Sequence, residues 1–265
     1  MKTYILGDSY ALFGRHMHHL VRMPQRLLSV TLMPIMFVIL FGYLFGSSMT
    51  LPSGEYHDYI MAGIFIQVML ASVINTGVGV AEDLNNGLVD RFRSMPMSQV
   101  SVLLGRTSSD VVLNCISCAV MSGVGLMIGW RIDTNPIKAL EGFLLLILLG
   151  FTMTWLGSLV GLLIREPQGV NAVAMFITMP ASFLSATFYP LANLPGWLQS
   201  IAQWNPMTTL ATALRELWGN PTGNVGDVPL PLRHPVLSSV LILGVLLVIL
   251  IPLTTRAYER AAAKV

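Results

Sequence analysis

Cys115 and Cys118 stand in a CxxC spacing, which in a soluble fold serves thiol exchange or half of a zinc site. They are the only cysteines, and they lie inside an uncharged apolar stretch, Val111–Trp130, with no second pair and no nearby histidine. One helical turn apart in lipid, they read as small, polarisable packing residues, with thiol chemistry as the rival reading. His16, His18 and His19 cluster near the N-terminus without carboxylate or cysteine companions, so a metal site there is a weak alternative. No GxxxxGK[ST] loop surrounds Lys2, Lys138 or Lys264, and neither HExxH nor GxSxG occurs. The expectation is a chain with no catalytic residue, no metal site and no nucleotide site of its own.

Charged residues that can meet a partner gather in one segment, Ala81–Arg106. It opens with Glu82 and Asp83, continues through Asp90, Arg91 and Arg93, and is broken at Gly87 and Pro96. Between the breakers, Leu88–Ser94 suits one or two helical turns lying along a membrane surface. The bland reading of Arg91 and Arg93 is that they hold lipid phosphates. Arg106 and Asp110, four apart, are expected to pair where the next helix enters lipid.

The elements that must position these groups are six apolar stretches: Leu27–Gly46, Tyr59–Val80, Val111–Trp130, Gly142–Ile164, Gln168–Phe188 and Val236–Thr255. None contains Asp, Glu, Lys, Arg or His. A twenty-residue helix spans roughly 30 Å, the thickness of a bilayer's hydrocarbon core. Helices without a polar face are not those of a soluble domain. Only 11% of residues are charged and 54% are hydrophobic, against about 25% charged in an ordinary globular domain. The expected class is an all-α membrane protein with six transmembrane helices, and one transmembrane domain over 1–265.

Of the 15 Lys and Arg, the group Lys2, Arg15, Arg22, Arg26, Arg91, Arg93, Arg106, Arg165, Arg256, Arg260 and Lys264 shares one side if the chain starts inside. The positive-inside rule then puts both termini in the cytoplasm. A net charge of +2 gives no reason to expect a nucleic-acid partner. Residues 8–26 form an amphipathic pattern: Phe13, Met17, Leu20 and Val21 on one face, and Arg15, His18, Arg22 and Arg26 opposite. The pattern predicts a helix in the membrane interface against lipid headgroups. Arg165-Glu166-Pro167 leaves room only for a tight inner hairpin. Residues 189–218 are cut by Pro190, Pro195-Gly196 and Asn205-Pro206. They predict two short re-entrant or interfacial outer helices, with Trp197 and Trp204 at headgroup depth. A plain amphipathic outer loop is the alternative.

Within the spans the polar residues are mild, among them Gln67, Asn75, Asn114, Thr178 and Ser182, and soft or aromatic neighbours include Met69, Met179, Phe183 and Phe188. Such a lining suits a large amphipathic solute better than an ion, although each residue taken alone is more readily explained by helix packing. Absence of ionisable groups from the spans argues against a proton-driven carrier and an intramembrane enzyme. GxxxG occurs at Gly42–Gly46, Gly125–Gly129 and Gly157–Gly161, a weak signal in a chain with 23 glycines. Pro34 and Pro180 are candidate kinks.

The segments AEDLNNGLVDRFRSMPMSQVSVLLGRTSSD (81–110) and LSATFYPLANLPGWLQSIAQWNPMTTLATALREL (184–217) carry a resemblance. With six spans and an interfacial N-terminal helix, the chain resembles the permease subunit of ATP-binding-cassette exporters of the second permease type. It is most similar to their daunorubicin-resistance, drug-exporting branch. That resemblance implies two permease chains, identical or paralogous, in a bacterial plasma membrane, and two separate cytoplasmic ATPase subunits that bind ATP and Mg. Glu82, Asp83, Asp90, Arg91, Arg93 and Pro96, joined by Arg165 and Glu166, would form the ATPase-coupling surface. The second and fifth spans would line a substrate path, with Gln67, Met69, Asn75, Met179, Phe183 and Phe188 as candidates. Tyr189, Trp197 and Trp204 would form an outer gate. The cargo would be an amphipathic drug or lipid. A glycan exporter of the same fold and an ion-coupled carrier are the alternatives.

Overall fold

The computed structural model describes residues 32, 35–41, 56–86, 99–191, 194–222 and 229–263. Among these every regular element is helical. In chain order they are α1 (Tyr56–Leu70), α2 (Ser72–Asn85), α3 (Gln99–Met127), α4 (Pro136–Ile164), α5 (Pro167–Phe183), α6 (Gly196–Trp204), α7 (Pro206–Trp218), α8 (Leu230–Arg233) and α9 (Pro235–Ala263).

Among the described residues, four helical stretches are long and apolar enough to cross a membrane: His57–Asn85, Gly105–Met127, Pro136–Ile164 and Pro235–Ala261. The first of these joins α1 to α2 through Ala71. There the amide still bonds the Gln67 carbonyl at 3.1 Å, while the Ala71 carbonyl accepts from both Ile74 and Asn75. Apart from Leu32 and residues 35–41, the expected first span and the whole interfacial segment 8–26 lie outside the described residues, as do residues 87–98.

Helix ends depart from the sequence expectations where local chemistry intervenes. α4 begins at Pro136 rather than Gly142, because the Asn135 side chain caps it by accepting from the Lys138 amide at 2.9 Å and Pro136 occupies the first turn. α4 ends at Arg165, a non-glycine residue in the left-handed region at φ 62°. Glu166 is extended, as a residue before proline must be, and Pro167 starts α5. The tight hairpin expected there is present. Ala81–Asn85 and Gln99–Arg106 are helical, so the segment expected as a loop is an extension of two helices at both ends. α5 stops at Phe183 rather than Phe188, because side chains of other elements take up the carbonyls of the turn that follows.

α4 is the central helix, packed against α2, α3, α5, α7 and α9. Its crossing with α2 depends on bare backbone. A Cβ on Gly157 would lie 2.5 Å from the Val73 carbonyl oxygen, and one on Gly161 would strike the Gly77 carbonyl. Of the three GxxxG spacings, Gly157–Gly161 is thus a helix contact, a Cβ on Gly125 would meet Met61 while one on Gly129 meets nothing, and Gly42–Gly46 lies outside the described residues. At the other end Trp218 packs on Phe65, Trp130 and Phe143, with ring centroids 5.2, 5.2 and 5.5 Å away. The Trp130 indole donates to Asn220 at 3.0 Å, and Asn220 donates to the Arg131 carbonyl at 2.9 Å, which ties the α3–α4 connection to the end of α7.

The sequence treats the two short helices before the last span alike, and the structure separates them. α6 is peripheral: Trp197, Ile201 and Trp204 are exposed. α7 is buried at every position from Met207 to Trp218 except Glu216. Met207–Trp218 is therefore a core helix, not a second surface helix. Its small and hydroxylic residues, Thr208, Ala211, Thr212 and Ala213, let it fit between longer helices.

Candidate functional site

The stagger of hydroxyl and amide residues on α1–α2 and α3 places them on facing sides. Ser72 and Thr76 are four apart, as are Asp110 and Asn114, so each pair shares a helix face. The faces meet: the Ser72 hydroxyl donates to Asn114 Oδ1 at 2.9 Å, and the Thr76 hydroxyl to Asp110 Oδ2 at 2.7 Å. Further along the same rod, the Ser182 hydroxyl of α5 donates to Gln67 Oε1 at 2.5 Å. These bonds line one wall of a cavity of about 630 Å3. The opposite lining is soft and apolar, from Met36, Phe37, Leu113, Met175 and Met179. The volume lies inside the range of about 300–1,000 Å3 found for drug-sized ligands.

A second construction surrounds the turn after α5. Arg215, on α7, is fully buried. Its Nε donates to the Tyr59 carbonyl at 3.0 Å, Nη1 to Ala186 and Nη2 to Thr187, each at 3.0 Å. Tyr59 also donates its hydroxyl to the Ala186 carbonyl at 2.9 Å, and Thr208 receives the Ala186 amide. Asn205 holds the carbonyls of Ala181 and Leu184. The turn after α5 thus has its backbone satisfied by side chains from α1, α7 and the α6–α7 joint, as backbone at membrane depth requires. Beside it, Phe183 stacks near Phe188 and Phe188 near Phe41. Tyr189 donates to the Phe183 carbonyl, and burial pushes its phenol above the usual tyrosine range.

At the other end of the cavity Arg106 pairs with Asp83 across the α2–α3 crossing. The helix-internal pairing expected of Arg106 and Asp110 is replaced by two cross-helix contacts, Arg106 to Asp83 and Thr76 to Asp110. Gly79 permits this, since a Cβ there would meet the guanidinium.

The expected substrate-path residues divide. Gln67, Asn75 and Met179 line the cavity together. Met69 is fully buried in the core, and Phe188 is buried in the aromatic stack beside the turn after α5. Phe183 is half exposed on that stack and, with Tyr189, lies beyond the cavity. Trp197 and Trp204 are exposed on α6, and Trp204 borders a second, open groove with Pro180 and Leu184. Of the expected coupling residues, Glu82 is exposed, Asp83 is in the ion pair, and Arg165 and Glu166 are exposed at the hairpin. Asp90, Arg91, Arg93 and Pro96 lie outside the described residues. Cys115 is exposed and Cys118 buried, both as free thiols. No metal-ligating cluster occurs among the described residues.

Two residues escaped the sequence reading. Asp110 fell one residue outside the expected span that starts at Val111, yet α3 runs unbroken from Gln99 to Met127 and carries both Arg106 and Asp110. The legible signal was the run Asp110, Asn114, Ser117 at helical spacing. Arg215, in the segment expected to form short outer helices, is instead buried in the core. Its burial was legible only from the small residues around it on α7.

The chain is 32% identical over 240 residues to the daunorubicin resistance ABC transporter permease protein DrrB1 of Streptomyces coeruleorubidus, covering 91% of this chain and 82% of that one. It is 28% identical over 222 residues to the putative transport permease ycf38 of Cyanophora paradoxa, covering 82% and 76%. It is 27% identical over 182 residues to the doxorubicin resistance ABC transporter permease protein DrrB of Mycobacterium tuberculosis, covering 68% and 63%. The family described as ABC-2 type transporter matches residues 8–217. With several membrane-crossing helices around a polar-striped cavity, the chain belongs to the ABC-2 type transporter family as a membrane permease.

Proposed function

We propose that this permease moves amphipathic drug-like or lipid molecules outward across a bacterial plasma membrane, driven by ATP hydrolysed on a separate subunit. The observation that carries the reading is the cavity: one wall of hydroxyls and amides, the other of methionine and phenylalanine, at drug-like volume. Such a lining matches a solute with one polar edge and one apolar face. A glycan would leave the apolar wall unmatched.

In this reading the chain has six spans with both termini in the cytoplasm, and two copies form the pathway. Glu82, Asp83, Asp90, Arg91, Arg93 and Pro96, with Arg165 and Glu166, face two ATPase subunits that bind ATP and Mg. Closure of those subunits on ATP pulls the α2–α3 ends together. The Asp83–Arg106 pair passes the displacement into the helices that wall the cavity, and the path switches from inward- to outward-facing.

The test is reconstitution. The chain, with the ATPase produced alongside it, is placed in proteoliposomes and export of a fluorescent amphiphile is followed with and without ATP. Export that needs both ATP and the second protein is expected. Equal export by the permease alone would replace this reading with an ion-coupled carrier, and movement of glycans but not amphiphiles would replace it with a glycan exporter.

A further inference from the structure

We propose that the C-terminal end of α9 holds an anionic phospholipid, with Arg256 and Arg260 on its phosphate and the apolar side of the same helix along its acyl chains. Such a site requires only that α9 crosses the membrane, whatever the cargo.

Contacts with the bundle decide which side of α9 faces outward. Leu250, Thr254, Tyr258 and Ala261 are buried. The Thr254 hydroxyl donates to the Trp155 carbonyl at 3.4 Å. Tyr258 and Ala261 share one apolar cluster with Leu162 of α4 and Val80 of α2, and Leu84 packs on it. On the opposite side Val245, Ile249, Leu253, Arg256 and Arg260 are all exposed. Steps of three and four residues keep them on one stripe of a helix with 3.6 residues per turn.

Depth matches the chemistry of that stripe. Pro235–Thr255 carries no charged residue, and its length is about 30 Å, the thickness of the hydrocarbon core. Arg256 therefore emerges where acyl chains give way to headgroups, and Arg260 lies about 6 Å beyond it. Neither arginine has an ion-pair partner among the described residues. Glu259 is exposed on the flank of the stripe, about 60° round the helix from Arg256 and about 100° from Arg260. Guanidinium forks fit phosphate oxygens in pairs. A zwitterionic headgroup brings its own ammonium, which competes for the same phosphate.

Other occupants fit less well. An acidic protein surface answers the arginines but leaves Val245, Ile249 and Leu253 unmatched. A second copy of this chain, packed about a two-fold axis along the membrane normal, would bring the arginines of both copies together. A lipid held here also braces the end of α2 that carries Asp83, because Val80 and Leu84 pack in the cluster that seats Tyr258.

The test titrates the full-length permease in detergent with phosphatidylglycerol or with phosphatidylcholine of the same chains. Native mass spectrometry counts bound lipid, and a melting curve is recorded on each sample. Phosphatidylglycerol is expected to bind in preference and to raise the melting midpoint. Arg256→Gln and Arg260→Gln are each expected to weaken phosphatidylglycerol binding roughly fivefold, and the double variant by more. The preference is expected to shrink in high salt. Melting in phosphatidylcholine is expected to stay at the wild-type value, which reports an intact fold. Arg256→Lys with Arg260→Lys is expected to keep most of the preference. Lys138→Gln, exposed at the other end of α4, is expected to change nothing and controls for net charge. An undiminished preference in the double glutamine variant, or an equal loss in Lys138→Gln, would overturn the site. So would a wild-type permease that binds the two lipids alike, whatever the variants do. Loss of the ATPase or of a permease dimer from the double variant, with lipid binding intact, would assign the stripe to a protein instead.

Discussion

The Arg215 guanidinium lies 3.5 Å from the centre of the Tyr59 ring, and its Nε bonds the carbonyl of that same tyrosine at 3.0 Å. One residue of α7 thereby holds the start of α1 through both its ring and its backbone. The remaining nitrogens hold Ala186 and Thr187 after α5. A planar fork of donors is needed to reach three carbonyls at once, which a lysine ammonium on a flexible stem does not reproduce.

Arg215→Met is expected to leave those carbonyls unsatisfied and to lower stability by about 3 kcal/mol, since each hydrogen bond to a charged group is worth 1.5–3 kcal/mol. Arg215→Lys is expected to fall between the two. Thermal unfolding of the detergent-solubilised permease measures both. A melting curve for Arg215→Met that overlays the wild type would remove the clamp from the account.

At the α2–α4 crossing the obstacle to a side chain is backbone, which cannot rotate away. Gly157→Ala and Gly161→Ala are each expected to cost about 1–3 kcal/mol through forced helix separation. Gly123→Ala, where a Cβ meets nothing within 4 Å, is expected to gain up to about 1 kcal/mol from helix propensity. Retention of folded protein on size-exclusion after stepwise heating distinguishes them, and similar behaviour of all three would refute the crossing.

Asp83, Arg106 and Gly79 act as one unit. Asp83→Asn removes the charge partner, and Gly79→Ala pushes the guanidinium off it. Each is expected to lower ATP-driven transport by about the same factor, and the double variant to be no worse than either, the mark of a shared interaction. Additive losses in ATPase-coupled efflux would mean that the two residues work separately.

Much of the architecture was legible in the sequence because lipid leaves so few options. Long uncharged stretches become helices, and an Arg-Glu-Pro link can only be a hairpin. The difficulties arose where tertiary contacts override local pattern. Nothing in Val111–Trp130 signals that its helix continues back to Gln99, so Asp110 was set outside the cavity it lines. The polar faces of α2 and α3 are each weak, and become a wall only when Ser72 meets Asn114 and Thr76 meets Asp110. α6 and α7 have similar lengths and proline starts, and only packing on α1 and α4 tells the buried one from the exposed one. Met69 has the composition of a path residue but the wrong helical phase: it points from α1 into the core, where it approaches Gly150.

The elbow at Arg165 has a mechanical consequence. A left-handed residue followed by an extended one locked before proline leaves α4 and α5 without a slack joint. α4 packs on α2 and α9, and α5 presents Met175 and Met179 to the cavity. Under the proposed function, a push at the exposed hairpin tip would therefore be passed along α5 toward those methionines.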